Sequence, residues 1–274
     1  MMVSVIIPVY NRAELVTRAI RSVLEQSYRD LEVVVVDDGS TDDTAIRVRL
    51  EFGEKVCLLQ HPHTRGVSAA RNLGIAKSAG EWVALLDSDD VWLPSKLEEQ
   101  LRRVAADGQR VCHTNEIWIR DGKRVNQRKH HQKHGGDIYE QALGLCPMSP
   151  SSILVHRLMF DVVGVFDERL PACEDYDLFL RLTNHCRVSY LDEELIVKYG
   201  GHDDQLSRAF PAMDRFRVYA LNKMLNSGSL TDQSRIDATR AMLVRKAQIV
   251  LGGARRRSNH DLAETMEEYL SRWG

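Results

Sequence analysis

No stretch of this chain approaches the roughly 20 consecutive apolar residues that a membrane-spanning helix needs, which argues against an integral membrane protein. The opening residues, MMVSVIIPVYNR, lack a basic lead and soon meet a proline and an asparagine; they read as a strand rather than a secretory leader. An excess of either charge is also missing. Lys and Arg number 37 against 39 Asp and Glu, for a net charge of −2. With no overall basic field, nucleic acid is not an expected partner. Cysteine is sparse and unpatterned: Cys57, Cys112, Cys146, Cys173 and Cys186 are odd in number and share no CxxC spacing. A reduced, cytoplasmic chain without structural zinc is therefore expected. Neither G-x-G-x-x-G nor G-x-x-x-x-G-K-[ST] occurs, which counts against a nicotinamide dehydrogenase and a P-loop nucleotidase.

What is present is the composition of a folded protein, 43% hydrophobic and 28% charged over 274 residues. That is enough for one large domain or a domain with an appendage. Up to Asp107 the chain alternates strand and helix patterns. VSVIIPVY is a β-branched run, and AELVTRAIRSVLEQS places Leu15, Ala19, Ile20, Val23 and Leu24 on one helical face. LEVVVVDDGS is a continuous apolar run ending in acids, as in a strand buried on both faces. STDDTAIRVRLEF follows as a helix with Ser40 and Thr41 as cap candidates. KVCLLQ is a strand, GVSAARNLGIAKSAG a helix of small residues, EWVALLDSDD a strand, and LPSKLEEQLRRVAAD a helix started by Pro94 and Ser95. This order implies an α/β fold: a mostly parallel, open, Rossmann-like sheet with helices on both faces.

The pattern then changes. RVCHTNEIWIRDGKRV reads as strand and turn, and residues 121–136 as a basic polar loop, either solvated or placed to meet an anionic acceptor. Its His130, His131 and His134 have no interleaved carboxylate or cysteine, so metal is not expected there. SSILVHRLMFDVVGVFDERL reads as strand, short helix and turn, CEDYDLFLRLTNH as a helix, and RVSYLD and ELIVKYGG as two short strands. From about Gln205 the chain is helical. A boundary near Ser207 is expected, dividing residues 1–207 (a nucleotide half to about 107 and an acceptor half after it) from a helical extension, 208–274. There Ile236, Leu243, Ala247 and Val250 recur at helical spacing. Their face is expected to be buried on the preceding domain or in a homodimer.

Three strands deliver polar residues to their carboxyl ends, where open parallel sheets bind ligands. The first ends in Pro8, Val9, Tyr10 and Asn11, the second in Asp37 and Asp38, and the fourth in Asp87, Ser88, Asp89 and Asp90. Burying so many like charges without a partner is costly. A hard divalent cation, Mg²⁺ or Mn²⁺, bound by carboxylates and substrate phosphates, would supply the missing positive charge. Each segment also has a plainer reading, since Asp, Gly and Ser favour solvated turns.

Taken in order, VSVIIPVYNRAELVTRAIRSVLEQSYRDLEVVVVDDGSTDDT, GVSAARNLGIAKSAGEWVALLDSDDVWLPSKLEEQ and CEDYDLFLRL resemble the family 2 glycosyltransferases, over roughly residues 3–200. The resemblance implies a GT-A fold, inverting transfer, a nucleotide-sugar donor (UDP-sugar above all) and a divalent metal. It places Pro8, Val9, Tyr10, Asn11, Asp37 and Asp38 at the nucleotide, with Arg71 nearby; the alternative for Arg71 is a helix-surface ion pair. Asp87 and Asp89 match the family's DxD element around Ser88. Asp89 is the expected direct metal ligand, and Asp87 lies nearer the ribose or a metal-bound water. Asp175 matches the catalytic base and Glu174 its neighbour; the alternative is two acids at the positive end of a helix. His202 resembles a third metal ligand or is a surface-loop histidine. Asp203, Asp204 and Arg208 could bind donor, and Asp177 is given no role. The expected acceptor is a saccharide or a lipid-linked glycan of cell-surface synthesis, the latter bringing peripheral contact with the inner face of the membrane. The rival readings are a sugar nucleotidyltransferase, which PVYNRAEL disfavours by lacking glycine, and an inactive nucleotide-sugar-binding module.

Overall fold

The computed structural model describes residues 1–127, 131–201 and 210–274. The strands are β1 (Val3–Val9), β2 (Leu31–Asp37), β3 (Cys57–Gln60), β4 (Trp82–Leu85), β5 (Val91–Trp92), β6 (Val111–Arg120), β7 (Lys123–Val125), β8 (Leu154–His156) and β9 (Ser189–Gly200). The helices are α1 (Ala13–Leu24), α2 (Thr44–Phe52), α3 (Val67–Lys77), α4 (Lys96–Asp107), α5 (Tyr139–Gly144), α6 (Leu158–Val163), α7 (Glu174–His185), α8 (Asp214–Asn226), α9 (Gln233–Arg256) and α10 (His260–Trp273). One sheet runs β3-β2-β1-β4-β8-β6-β9-β5, with β7 hairpinned onto β6. The hairpin turns at Asp121–Gly122, both at positive φ, as a two-residue turn matching strand twist requires.

The β3-β2-β1-β4 half is parallel throughout. Its apolar strands are covered on both faces, as expected. Val3, Val5, Ile7 and Val9 pack with Val16, Ala19, Ile20 and Val23 of α1, while Ile6 and Val36 pack with Ala70 and Ile75 of α3 on the other face. The small residues of α3 allow close approach: a Cβ on Gly74 would lie 2.4 Å from Ile6 Cγ2. The other half is mixed. β8 runs antiparallel to β4 and β6, β9 is parallel to β6, and β5 is antiparallel to β9.

Three local expectations change. β9 is one strand where two were expected; register shifts against β6 pass over Asp192 and Glu193 and let the pairing resume. Ser40 and Thr41 do not cap α2, which begins after Asp43 with the Asp42 side chain accepting from the Thr44 N–H at 3.0 Å. They instead tie the loop after β2 to Asn11 in the loop after β1. The described end of the basic loop is anchored rather than solvated. Lys133 is buried against Glu116 at 3.1 Å, the His134 carbonyl accepts from His113 Nε2 at 2.8 Å, and Gly136 bridges Val188. A buried glutamate demands a cation, and the loop supplies it. His130 lies outside the described residues.

The helical extension packs on this chain. Leu243, Ala247 and Val250 share a core with Val218, Leu221 and Met224 of α8, with Tyr139 and Leu143 of α5 and with Cys173, Tyr176 and Leu180 of α7. Lys223 spans Asp167 and Asp177 at 2.9 and 3.0 Å, which gives Asp177 a structural use that its sequence did not suggest. Among the described residues no helix is long and apolar enough to cross a membrane.

Candidate active site

The carboxyl ends of β1, β2 and β4 are brought level by their ladders. Val9 is in register with Asp37, and the Leu86 N–H donates to the Ile6 carbonyl, so Asp87 emerges beside the end of β1. Pro8 and Val9 are buried and contribute scaffold, whereas Tyr10 is 44% exposed at the rim. Asn11 takes a left-handed backbone, φ 50. Its side-chain oxygen accepts from the Thr41 N–H at 2.8 Å, and its own N–H donates to Ser40 Oγ at 2.8 Å. Asn11 thereby stitches the two loops together, which is where the Ser40 and Thr41 polar groups are used.

The paired aspartates after β2 part company. Asp37 accepts from the Ser40 N–H at 3.0 Å and from Gln60 Nε2 at 3.1 Å. Asp38 is absorbed by the 61–66 loop: His61 Nδ1 lies 2.6 Å away, Thr64 Oγ1 donates at 2.8 Å, and the Arg65 and Gly66 N–H groups donate at 3.0 and 2.8 Å. Its carboxylate braces the approach to α3, and Asp37 is the one left with simpler ties.

The acids after β4 are answered by protein cations. Arg71 is 3% exposed. It donates through Nη2 to Asp87 at 2.8 Å and through Nη1 to Glu174 at 2.6 Å. It is thus not a surface arginine but a buried fork joining two carboxylates. Their pull outweighs its burial and raises its pKa further. Arg12 contacts Asp89 at 2.9 Å and Ser88 Oγ at 3.4 Å, and Arg18 donates to the Asp89 carbonyl at 2.8 Å. Burial and the neighbouring Asp87 push Asp89 up, against Arg12. Asp90 turns inward, accepting from Ser151 Oγ at 2.6 Å and from the Tyr199 N–H at 3.3 Å; burial pushes it up to about 8. Below it Glu116 accepts from Ser149 Oγ and the Trp118 indole at 2.7 and 2.8 Å. Burial alone would raise Glu116, but Lys133 and Lys198 bring it down to about 2.

Across the Arg71 fork, α7 starts from Cys173 at φ 61. Burial pushes Glu174 up to about 7, opposed by Arg71 and assisted by Asp175. Asp175 is half-buried; Oδ1 accepts from the Tyr176 N–H at 2.7 Å and Oδ2 from Cys146 Sγ at 3.6 Å. The structure therefore gathers Asp87, Asp89, Arg71, Glu174 and Asp175 on one side of the sheet edge. His202, Asp203, Asp204 and Arg208 lie outside the described residues. Sequence reasoning missed Arg12, Arg18, Glu116, Lys133 and Lys198. Lys133 carried a signal through its place in the basic loop, and Lys198 through the KYGGHDD stretch. A cavity of about 710 Å³ lies elsewhere, lined by Ile75, Glu81, His156, Arg157 and Phe160 among others; it includes none of the acids of this edge.

The model of glycosyl transferase family 2 matches residues 4–160. The chain belongs to that family. A UDP-Glc:alpha-D-GlcNAc-diphosphoundecaprenol beta-1,3-glucosyltransferase, WfgD, of Escherichia coli is 30% identical over 192 residues, covering 70% of this chain and 73% of the relative. An uncharacterized glycosyltransferase of Rickettsia conorii is 32% identical over 193 residues, and there the match covers 70% of this chain but only 32% of the relative. This family 2 chain thus spans about a third of the length of some curated relatives. Relatives named for cell-surface glycan synthesis include a putative colanic acid biosynthesis enzyme of E. coli, WcaA. Among solved structures, S. aureus TarS 1–349 in complex with UDP-GlcNAc superposes with a TM-score of 0.70 at 19% identity, covering 99% of this chain and 92% of that one. That likeness shows the fold, which is GT-A.

Proposed function

We propose that this protein transfers a sugar, with inversion, from a UDP-sugar to a hydroxyl of a saccharide or lipid-linked acceptor in cell-surface glycan synthesis. The observation that carries the reading is the Arg71 fork. One buried guanidinium joins Asp87, on the donor side, to Glu174, the residue next to Asp175 on the acceptor side. Donor and acceptor carboxylates are thereby held as one unit, which suits a reaction whose partners must meet in fixed geometry.

The residues present fit a divalent cation. Among the described residues no group of three or more His, Cys, Asp or Glu side chains gathers as a metal site. Asp87 and Asp89 instead offer an oxygen-only set, with Asp87 Oδ2 and Asp89 Oδ1 given no hydrogen bond or ion pair by the described residues. Mg²⁺ and Mn²⁺ are commonly held in this way, by one or two carboxylates with substrate phosphates and water completing the shell. Bound there, the ion would neutralise charge developing on the leaving diphosphate. Asp37 would accept from the uracil N3–H, since each of its oxygens keeps a second lone pair. Asp175 would take the acceptor hydroxyl proton, with the Tyr176 N–H fixing its orientation. A lipid-linked acceptor would bring the protein to the inner face of the membrane from the cytoplasm.

The test is paired. UDP should bind far more tightly with Mn²⁺ than with EDTA by calorimetry, and Asp89→Ala should abolish that difference. Asp175→Asn keeps shape and should retain UDP binding, while the transfer rate falls about 10²- to 10⁴-fold. Unchanged turnover in the folded Asp175→Asn protein removes Asp175 as base. Release of pyrophosphate rather than UDP would point to a nucleotidyltransferase, and donor binding without turnover to a binding module.

A further inference from the structure

Cations and carboxylates alternate along this edge, and most of the cations are committed to one bond or two. Arg71 is divided between Asp87 and Glu174, Arg12 contacts Asp89, and Lys133 holds Glu116. Lys198 differs. It is fixed through its neighbours on β9: Val197 pairs with Val91 of β5, and the Tyr199 N–H donates to Asp90. Across the ladder it faces Trp118 of β6, whose indole donates to Glu116. The charge of this half-buried residue is thus felt by Glu116, Asp90, Asp87 and Asp89. No direct hydrogen bond or ion pair binds it to any of them among the described residues. Burial alone would lower its pKa, and the four carboxylates more than reverse that. It is a charged group shared among acids and locked to none.

We propose that Lys198 is a diphosphate-binding residue of the donor site. The assignment rests on the nucleotide-sugar reading above. Asp87 and Asp89 are the carboxylates that would hold the divalent cation, and they are also two of the four that now draw Lys198. A cation taking those two satisfies their charge from the other side, and the diphosphate oxygens arriving with it place new negative charge next to an ammonium with three N–H donors. A lysine used as a point charge is an ordinary phosphate partner. Arg71 cannot serve in its place, because turning it toward a ligand would leave Glu174 buried without its partner.

Calorimetry with uridine, UMP and UDP at saturating Mn²⁺ tests this on Lys198→Met and Lys198→Arg. A contact to the diphosphate should cost Lys198→Met about 10- to 100-fold in UDP affinity and leave uridine affinity within about twofold, with UMP between. Lys198→Arg should recover most of the UDP affinity. Uridine binding also reports that the variant is folded. Equal losses for uridine and UDP would reduce Lys198 to a structural counter-ion and overturn the proposal, as would unchanged UDP affinity in Lys198→Met. Failure of the donor-site reading looks different: the parent protein itself would not bind UDP in Mn²⁺, and this assignment would go with it. If the parent binds UDP and Asp89→Ala removes the metal dependence while Lys198→Met binds normally, Lys198 alone is lost.

Discussion

The two halves of the sheet bury different things. Between β3 and β4 the interior is aliphatic: Val3, Val5, Ile7 and Val33 to Val36 carry no side-chain polar atom, and the polar residues wait at the strand ends. Between β8 and β5 polar groups run through the interior itself. His113, Thr114, Glu116, Ser149, Ser151, Ser152 and Asp90 are all buried there, and nearby Lys133 and Asp177 lie in ion pairs. The first half is held by apolar burial, which is non-directional and tolerant of detail. The second depends on a network in which each group needs its partner, and a half-satisfied network is costly. Two halves of one sheet built on different physics should therefore fail in different ways.

The contrast can be broken most drastically at the helical extension. Removing residues 210–274 strips Tyr139, Tyr176 and Leu180 of their cover and Asp167 and Asp177 of Lys223. A domain holds only roughly 5–15 kcal/mol in reserve, so insoluble or molten protein is expected from expression and circular dichroism. A truncated protein that is soluble, monomeric and equally stable would show that the mixed half stands alone. Next in size is Arg71→Leu, which leaves Glu174 buried without its cation. About 3–5 kcal/mol should be lost in denaturant unfolding. A loss below about 1 kcal/mol would mean that the fork contributes little more than a surface pair.

A smaller effect separates the halves by pH. Burial holds His113, on β6, down to about 3. A histidine with a lowered folded pKa is neutral in the native state while the unfolded chain is already protonated. Its contribution is present above the ordinary value near 6.5 and is lost as pH falls toward about 3. Between those limits stability should drop with acid by up to about 1.4 kcal/mol per pH unit from this residue. His113→Gln should remove that slope, and an unaltered slope would clear His113 of the acid sensitivity. Smallest is Arg124→Ala at the exposed Arg124–Glu194 pair. It should shift stability by no more than about 1 kcal/mol, marking the rim of the mixed half as outside the network.

The sequence by itself determined the parallel half and the place of its acids. Apolar runs such as LEVVVV and the 3.6-residue spacing of α1 are local patterns, and strand ends in a parallel sheet point to one edge by backbone geometry alone. The order of DDGS, DSDD and CEDYD also sufficed for the family. Tertiary structure alone decided how the charges are answered. Asp37 and Asp38 are adjacent and chemically alike, yet Asp38 braces the 61–66 loop with four partners while Asp37 keeps two. Asp90 turns inward to Ser151, 61 residues away. Arg71 reaches Glu174 across 103 residues, and Lys198 arrives among the acids on a strand from the far end of the sheet. Periodicity records only what lies within a few turns of the chain. Ion pairs act through space, between residues whose separation along the sequence leaves no local mark, so the cations that balance this edge became visible only once the sheet had brought them together.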